Sequence, residues 1–314
     1  MGDTAGVRID VELVRALLAE QHPDLAGLAV SFLAEGWDNT IFRLGDHLTL
    51  RLPRRIEAAH LIGHEQRWLP GLVAGLPAPA DGGLATSAPV RAGRPGCGYP
   101  WRWSVGPWLP GDIVARSVLD DLFDAAARMG RFLALFHRTA PSDAPANPYR
   151  GVPLAERATK LVDGLDRIHA ECRDLGPGVH RSRIEDRWAE LMRTPPWNGP
   201  PLWLHGDLHL ANLIACEGRL SGVIDFGDLT SGDPATDLAI AWPLLPPPTR
   251  PAFRSAAAGA EVWGGDGIDD DTWRRAECWA LLLAVSYLAG SATASPLMAV
   301  ARATLAALVT DADR

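Results

Sequence analysis

Lysine is nearly missing from this sequence: Lys160 is the single one among 30 basic side chains in 314 residues. Arginine supplies every other basic side chain. The four cysteines, Cys97, Cys172, Cys216 and Cys278, lie far apart and form no Cys-x-x-Cys pair, which excludes a disulfide framework or a zinc site as the organising feature. Reduced thiols in a cytoplasmic protein are the expectation. No run of 18 uncharged apolar residues occurs, and the opening MGDTAGVRID has no apolar signal core, so no membrane span or secretory leader is expected. A basic excess is also lacking. The net charge of −8 argues against a nucleic-acid partner, since a phosphate backbone needs a cationic surface. The polar low-complexity signature of disorder is absent, as are internal repeats.

Ordinary globular composition is present instead, 47% hydrophobic and 22% charged, on a chain long enough for one large domain or two lobes. Val11 to Glu20 has helical spacing. Two alternating runs inside Ser31 to Arg54, joined at Gly45-Asp46, predict a β-hairpin. Glu57 to Leu69 predicts a helix stopped by Pro70, with Ala58, Leu61, Glu65 and Trp68 on one stripe. Further strands are expected around Ala88 to Val90 and Trp101 to Val105. Gly106 to Gly111, rich in Pro and Gly, reads as a boundary. Beyond it helices are expected over Leu119 to His137, Leu154 to Ile168, Arg183 to Met192, Ala235 to Leu245, Ala252 to Val262 and from Thr272 to the end. One small strand pair is expected within Leu202 to Phe226. The plan is α+β, with a strand-rich lobe (1–106), a hinge (107–112) and a helical lobe (113–314).

The chemistry concentrates in Leu204-His205-Gly206-Asp207-Leu208-His209-Leu210-Ala211-Asn212 and, thirteen residues on, Ile224-Asp225-Phe226-Gly227-Asp228. Phosphoryl transfer asks little of a protein. One carboxylate must accept or orient the proton of the attacking hydroxyl, and oxygen ligands must hold magnesium against the nucleotide phosphates. Asp207 suits the first task, Asn212 and Asp225 the second. These segments resemble the catalytic and metal loops of the aminoglycoside phosphotransferase family, relatives of the protein kinases. So do Gly232 to Ala239, Glu35 to Asn39, Arg51 to Arg55, His64 to Pro70 and Tyr99-Pro100-Trp101. The resemblance covers roughly residues 10 to 300. It implies a protein-kinase-like two-lobed fold, an antiparallel sheet followed by a mainly helical lobe, with ATP or GTP as donor and Mg2+ as cofactor in a cleft between the lobes.

The kinase pattern places a lysine on the third strand, paired with a helix glutamate. Here Arg51 stands in that place. Glu65 sits on an otherwise apolar helix stripe, where a lone charge is costly. An Arg51–Glu65 ion pair beside the phosphates is therefore expected. Gly36 falls where a phosphate-covering loop belongs. Pro107 and Pro110 lack N–H groups, so only Trp108 and Leu109 between them can donate to a purine. By resemblance, the Pro107 carbonyl and the Leu109 N–H would meet the base edge, and Trp108 is expected to pack.

His205 and His209 are expected to order the loop, and Asp233 and Asp237 to brace it or cap the following helix; Asp228 is given a structural role. Asp266, Asp269, Asp270 and Asp271 read as favourable charges at a helix N-terminus ahead of a cation-attracting role. Trp242, Trp273, Trp279 and Tyr287 read as core ahead of pocket lining. The function expected is phosphoryl transfer to a hydroxyl of a small molecule, an aminoglycoside or macrolide antibiotic. A metabolic kinase for an amino alcohol, sugar or homoserine is an alternative, and an inactive nucleotide-binding pseudokinase another. The chain is expected to act as a monomer or homodimer.

Overall fold

The structure, a computed structural model, describes residues 8–291 and 295–310. Its packing divides into two units. The first takes the described residues of Met1–Gly75, Ala85–Pro110 and Val223–Gly227; the second takes those of Leu76–Leu84, Gly111–Gly222 and Asp228–Arg314. A single cut at 107–112 does not separate them, because 76–84 belongs with the second unit and 223–227 with the first.

In the first unit α1 (Val11–Gln21) is capped by Asp10, whose Oδ1 accepts from Leu13 N at 3.0 Å. It precedes β1 (Val30–Glu35), β2 (Asn39–Leu44), β3 (Leu48–Pro53), α2 (Ile56–Val73), β4 (Ala85–Thr86), β5 (Arg91–Gly93) and β6 (Trp103–Pro107). Five strands form one antiparallel sheet in the order β1-β2-β3-β6-β5. In β2 and β3 alternate residues turn inward, and Phe42, Leu44, Leu50 and Leu52 join Val14, Leu17, Leu18, Trp103 and Val105 in one core. The Arg51 side chain leaves the opposite face, toward α2.

Several boundaries differ from the sequence expectation. Helix α2 does not stop at Pro70 but runs another turn to Val73, where Ala74 N still bonds to Pro70 O at 3.1 Å. Proline forfeits only its own N–H, and the burial of Leu69 and Leu72 on either side outweighs that loss. The buried stripe of α2 is Ala58, Ile62, Glu65, Leu69 and Leu72; Leu61 and Trp68 lie at its margin. Residues 88–90 are not a strand, and β6 carries on through Gly106 to Pro107, where pairing with Leu48 overrides the Gly/Pro punctuation.

The second unit opens with β7 (Asp112–Ile113), α3 (Leu122–Phe136), α4 (Ala158–Ala170) and α5 (Arg181–Leu191). Next come β8 (Leu202–Leu204), β9 (Leu213–Cys216), β10 (Arg219–Val223) and β11 (Thr230–Gly232). Five helices follow, α6 (Ala235–Leu238), α7 (Ala241–Leu244), α8 (Arg250–Ala257), α9 (Asp270–Gly290) and α10 (Pro296–Thr310). Helix α9 is apolar around most of its circumference and is the central support, packed by α4, α5, α6 and α10. Helices α3 and α8 cross so closely at Gly130 that a Cβ there would stand 2.6 Å from the Phe253 carbonyl. Strands form on both sides of the loop 205–212 as expected, but they do not pair with each other; the pair within 202–226 is β9 with β10. Instead β8 pairs with β11, while β9 lies between β10 and β7. The loop 205–212 thus joins two different ribbons, which hold its ends independently.

Candidate active site

The first unit brings together Arg51, Glu65 and Asp225. Arg51 Nη1 donates to Glu65 Oε2 at 2.7 Å and Nη2 to Asp225 Oδ1 at 2.9 Å. The expected pair is present, and a second carboxylate shares its fork, which a guanidinium can serve with separate nitrogens. Glu65 is 1% exposed, Arg51 12% and Asp225 54%. Burial pushes the Glu65 carboxyl up to about 7 against the opposing charge of Arg51. Burial disfavours the Arg51 cation, but Glu65 and Asp225 outweigh it and hold its pKa above the ordinary value. Asp225 adopts φ +62, a left-handed conformation uncommon outside glycine, and its N–H donates to Ser87 Oγ at 3.3 Å.

Two other nucleotide candidates belong to this unit. Gly36 begins the β1–β2 turn, and its N–H is already spent on Asn39 O at 2.9 Å. Between Pro107 and Pro110, Trp108 N–H donates to His47 O at 2.8 Å. Leu109 N–H has no backbone partner among the described residues. Trp108 packs, as expected, with the Arg43 guanidinium 4.1 Å above its ring.

The second unit brings together His205, Asp207, Asn212, Asp233 and Asp237. Gly206 has φ +88, and a Cβ there would overlap the Asp228 carbonyl oxygen, so only glycine makes this turn. Asp237, fully buried, receives His205 N at 2.7 Å and Gly206 N at 2.9 Å, with His137 Nε2 at 3.3 Å. Asp233 accepts from Ala235 N, the first N–H of α6, at 3.0 Å, and meets Arg275 Nε at 2.8 Å. Asp207 N–H donates to His205 Nδ1 at 3.3 Å, and Asn212 Nδ2 to Asp207 O at 2.9 Å. That last bond orients the amide and leaves Oδ1, the atom a hard cation takes, without a donor among the described residues.

The Asp207 carboxylate is crowded by donors. Arg150 Nη2 lies 2.7 Å from Oδ1, Tyr287 hydroxyl 3.5 Å from the same oxygen, and His209 Nε2 3.4 Å from Oδ2. His209 Nδ1 accepts from Ala211 N at 3.2 Å, which puts the proton of the neutral ring on Nε2, facing Asp207. Burial alone would raise the Asp207 pKa. The His209 hydrogen bond and the Arg150 charge reverse this and hold the carboxyl far below its usual range. Burial and Asp207 push the Tyr287 hydroxyl well up, so it stays protonated as a donor. Arg150 was not legible in the sequence. It sits in a loop read as connection, one arginine among many. Tyr287, expected as core ahead of pocket lining, instead points its hydroxyl at this carboxylate.

The remaining candidates take structural places. Asp228 Oδ1 accepts from Asn147 Nδ2 at 2.7 Å. Asp269 caps α9 by accepting from Thr272 N at 2.7 Å, and Asp270 pairs with Arg254 at 2.6 Å. Trp242 and Trp273 pack at 4.9 Å between centroids, and Trp279 is fully buried. Among the described residues no three His, Cys, Asp or Glu side chains converge to hold a metal alone, and no helix is long and apolar enough to cross a membrane.

An antiparallel sheet unit with a buried arginine–glutamate pair, followed by a helical unit with this loop, defines a two-lobed α+β fold of the protein-kinase type. The chain belongs to the phosphotransferase enzyme family (APH), whose family model matches residues 29–298. It is 31% identical over 147 residues to an aminoglycoside 3'-phosphotransferase of Escherichia coli, covering 46% of this chain and 52% of that protein. A namesake from Salmonella typhimurium is 30% identical over the same length. The chain spans about half the length of these curated relatives. Among solved structures, the GDP complex of aminoglycoside 2'-phosphotransferase-IIIa matches with a TM-score of 0.62 at 17% identity, over 97% of this chain and 100% of that one. A macrolide 2'-phosphotransferase from Brachybacterium faecium matches at 0.58 with 20% identity, over 94% and 97%. These structures share the fold.

Proposed function

We propose that this chain transfers the γ-phosphoryl group of ATP or GTP to a hydroxyl of a small molecule, with magnesium. The observation that carries the reading is Asp207. It is a carboxylate kept ionised by its neighbours, on a loop whose backbone is fixed by Asp237 and whose carbonyl orients Asn212. A carboxylate with so low a pKa is a weak base. Its role is to orient the hydroxyl and take the proton late, as fits a loose phosphoryl-transfer transition state. Asn212 and Asp225 would hold magnesium, which supplies neutralisation of charge on the phosphates. The open Oδ1 of Asn212 and the half-exposed Asp225 carboxylate suit a cation that draws its other ligands from phosphate and water. Arg51, kept in place by Glu65, would face the phosphates, and Pro107 O and Leu109 N–H the base.

The names of the relatives support an antibiotic, aminoglycoside or macrolide, as acceptor. A single chain or homodimer working in the cytoplasm fits this role. The test is a mass-spectrometric screen of the purified chain with ATP and GTP against aminoglycosides, macrolides and small alcohols. Phosphorylation of a member of the panel is expected, and Asp207→Ala should lower its rate by about 10²- to 10⁴-fold with nucleotide binding retained. Undiminished turnover in that variant would remove Asp207 from the reaction.

A further inference from the structure

We propose that Arg150 is a positioning residue for phosphoryl transfer, clamping one oxygen of Asp207 so that the other is aimed at the acceptor hydroxyl. The proposal rests on the reading of Asp207 as the group that meets that hydroxyl. A carboxylate turns easily about its last bond, and a misplacement of about 1 Å in a reacting group costs on the order of 10²-fold in rate. Asp207 is not free to turn. Arg150 Nη2 fills Oδ1 at 2.7 Å, and the Tyr287 hydroxyl backs the same oxygen at 3.5 Å. Oδ2 has only the longer approach of His209 Nε2, at 3.4 Å, and so keeps a lone pair for the acceptor's proton.

The contact is one-pronged, through Nη2 alone, and leaves Oδ2 without an arginine donor. It is also reachable: the two side chains remain 18% and 24% exposed. The clamp itself is fixed. Residues 145–151 lie as a strap against β11 and the turn leading to α6. Thr230 Oγ1 donates to Pro145 O at 3.0 Å, Asn147 Nδ2 to Asp228 Oδ1 at 2.7 Å, Gly151 N to Thr236 Oγ1 at 3.1 Å and Asp233 N to Gly151 O at 3.0 Å. Gly151, next to Arg150, has φ +69, and a Cβ there would press on Leu204 Cδ1 at 2.8 Å. The strap and the catalytic loop are thus fastened to the same segment, 228–237, which holds Arg150 and Asp207 in one frame.

The test uses the full chain and water as the acceptor, following phosphate release from magnesium ATP and magnesium GTP. Arg150→Gln should lower kcat by about 10²-fold while nucleotide KM stays within about threefold. Arg150→Lys should retain more activity than Arg150→Gln. Added guanidinium ion should restore part of the rate of Arg150→Ala and none of that of Asp207→Asn, and thermal melting monitors folding of each variant. If Arg150→Gln does not fold, the Lys variant and the guanidinium rescue decide. A kcat within twofold of wild type in Arg150→Gln, a loss that appears in nucleotide KM instead, or a loss without rescue that follows the unfolded fraction would overturn the proposal. Equal release from Asp207→Asn and wild type would instead sink the reading of Asp207 itself.

Discussion

Arg51 does with two nitrogens what a lysine in its place would do with one. Its fork reaches Glu65 and Asp225 separately, at 2.7 and 2.9 Å. An ammonium on a shorter donor head cannot span both with the same geometry. Arg51→Lys should therefore keep nucleotide turnover within about tenfold of wild type, roughly 1.4 kcal/mol, with the loss in nucleotide affinity, as kinetics with varied nucleotide will show. Glu65 gives a pH prediction. Its carboxyl rises from an ordinary 4.5 to about 7 on folding. Protonated Glu65 is the form the fold favours, so its contribution to stability is full below 4.5 and is lost as pH rises through 7. The melting temperature should fall across that window, and Glu65→Gln should flatten the fall; an unchanged slope would contradict the assignment. The Arg51–Glu65 pair was legible because a lone charge on an apolar stripe demands a partner. The bond to Asp225 was not, since nothing in local spacing ties residue 51 to residue 225.

Among the elements, the loop 205–212 shows what motif reading reaches and where it stops. Its residue types suggest the chemistry proposed for it, and Asp237 accepts from the His205 N–H while His205 Nδ1 accepts from Asp207 N. Its strand context was read as one pair because the two apolar runs are adjacent in sequence. Instead β8 takes the later strand β11, and β9 takes its neighbour β10 and the earlier β7; the pairings with β11 and β7 are contacts that periodicity cannot register. The continuation of α2 past Pro70 is a similar case, in which tertiary burial overrides a local stop signal. Gly206 belongs to this scale. Gly206→Ala meets both an unfavourable φ and the Asp228 carbonyl, so it should cost about 2 kcal/mol or more in a denaturant melt and lower turnover with it. A variant as stable and active as wild type would show that the turn relaxes freely.

For the whole molecule, the absences were as informative as the motifs. Near-absence of lysine makes arginine the cation expected beside the phosphates, and the acidic balance argues for a small-molecule partner over nucleic acid. The acceptor stayed illegible for a physical reason. Acidic and aromatic residues that mark a binding surface also cap helices and fill cores, and Asp269, Asp270, Trp242 and Trp273 are engaged in that way. Family membership over residues 29–298 fixes the fold and leaves the acceptor to experiment.

The central proposal is that Asp225 holds the magnesium of the nucleotide, whereas Asp207 serves the acceptor hydroxyl and not the metal. Calorimetric titration of ATP into wild type, Asp207→Ala and Asp225→Ala, with and without magnesium, tests it most directly. Asp207→Ala should bind with near wild-type affinity and the same magnesium dependence, while Asp225→Ala should lose most of the magnesium-dependent part. Equal magnesium-linked affinity in Asp225→Ala and wild type would contradict the account.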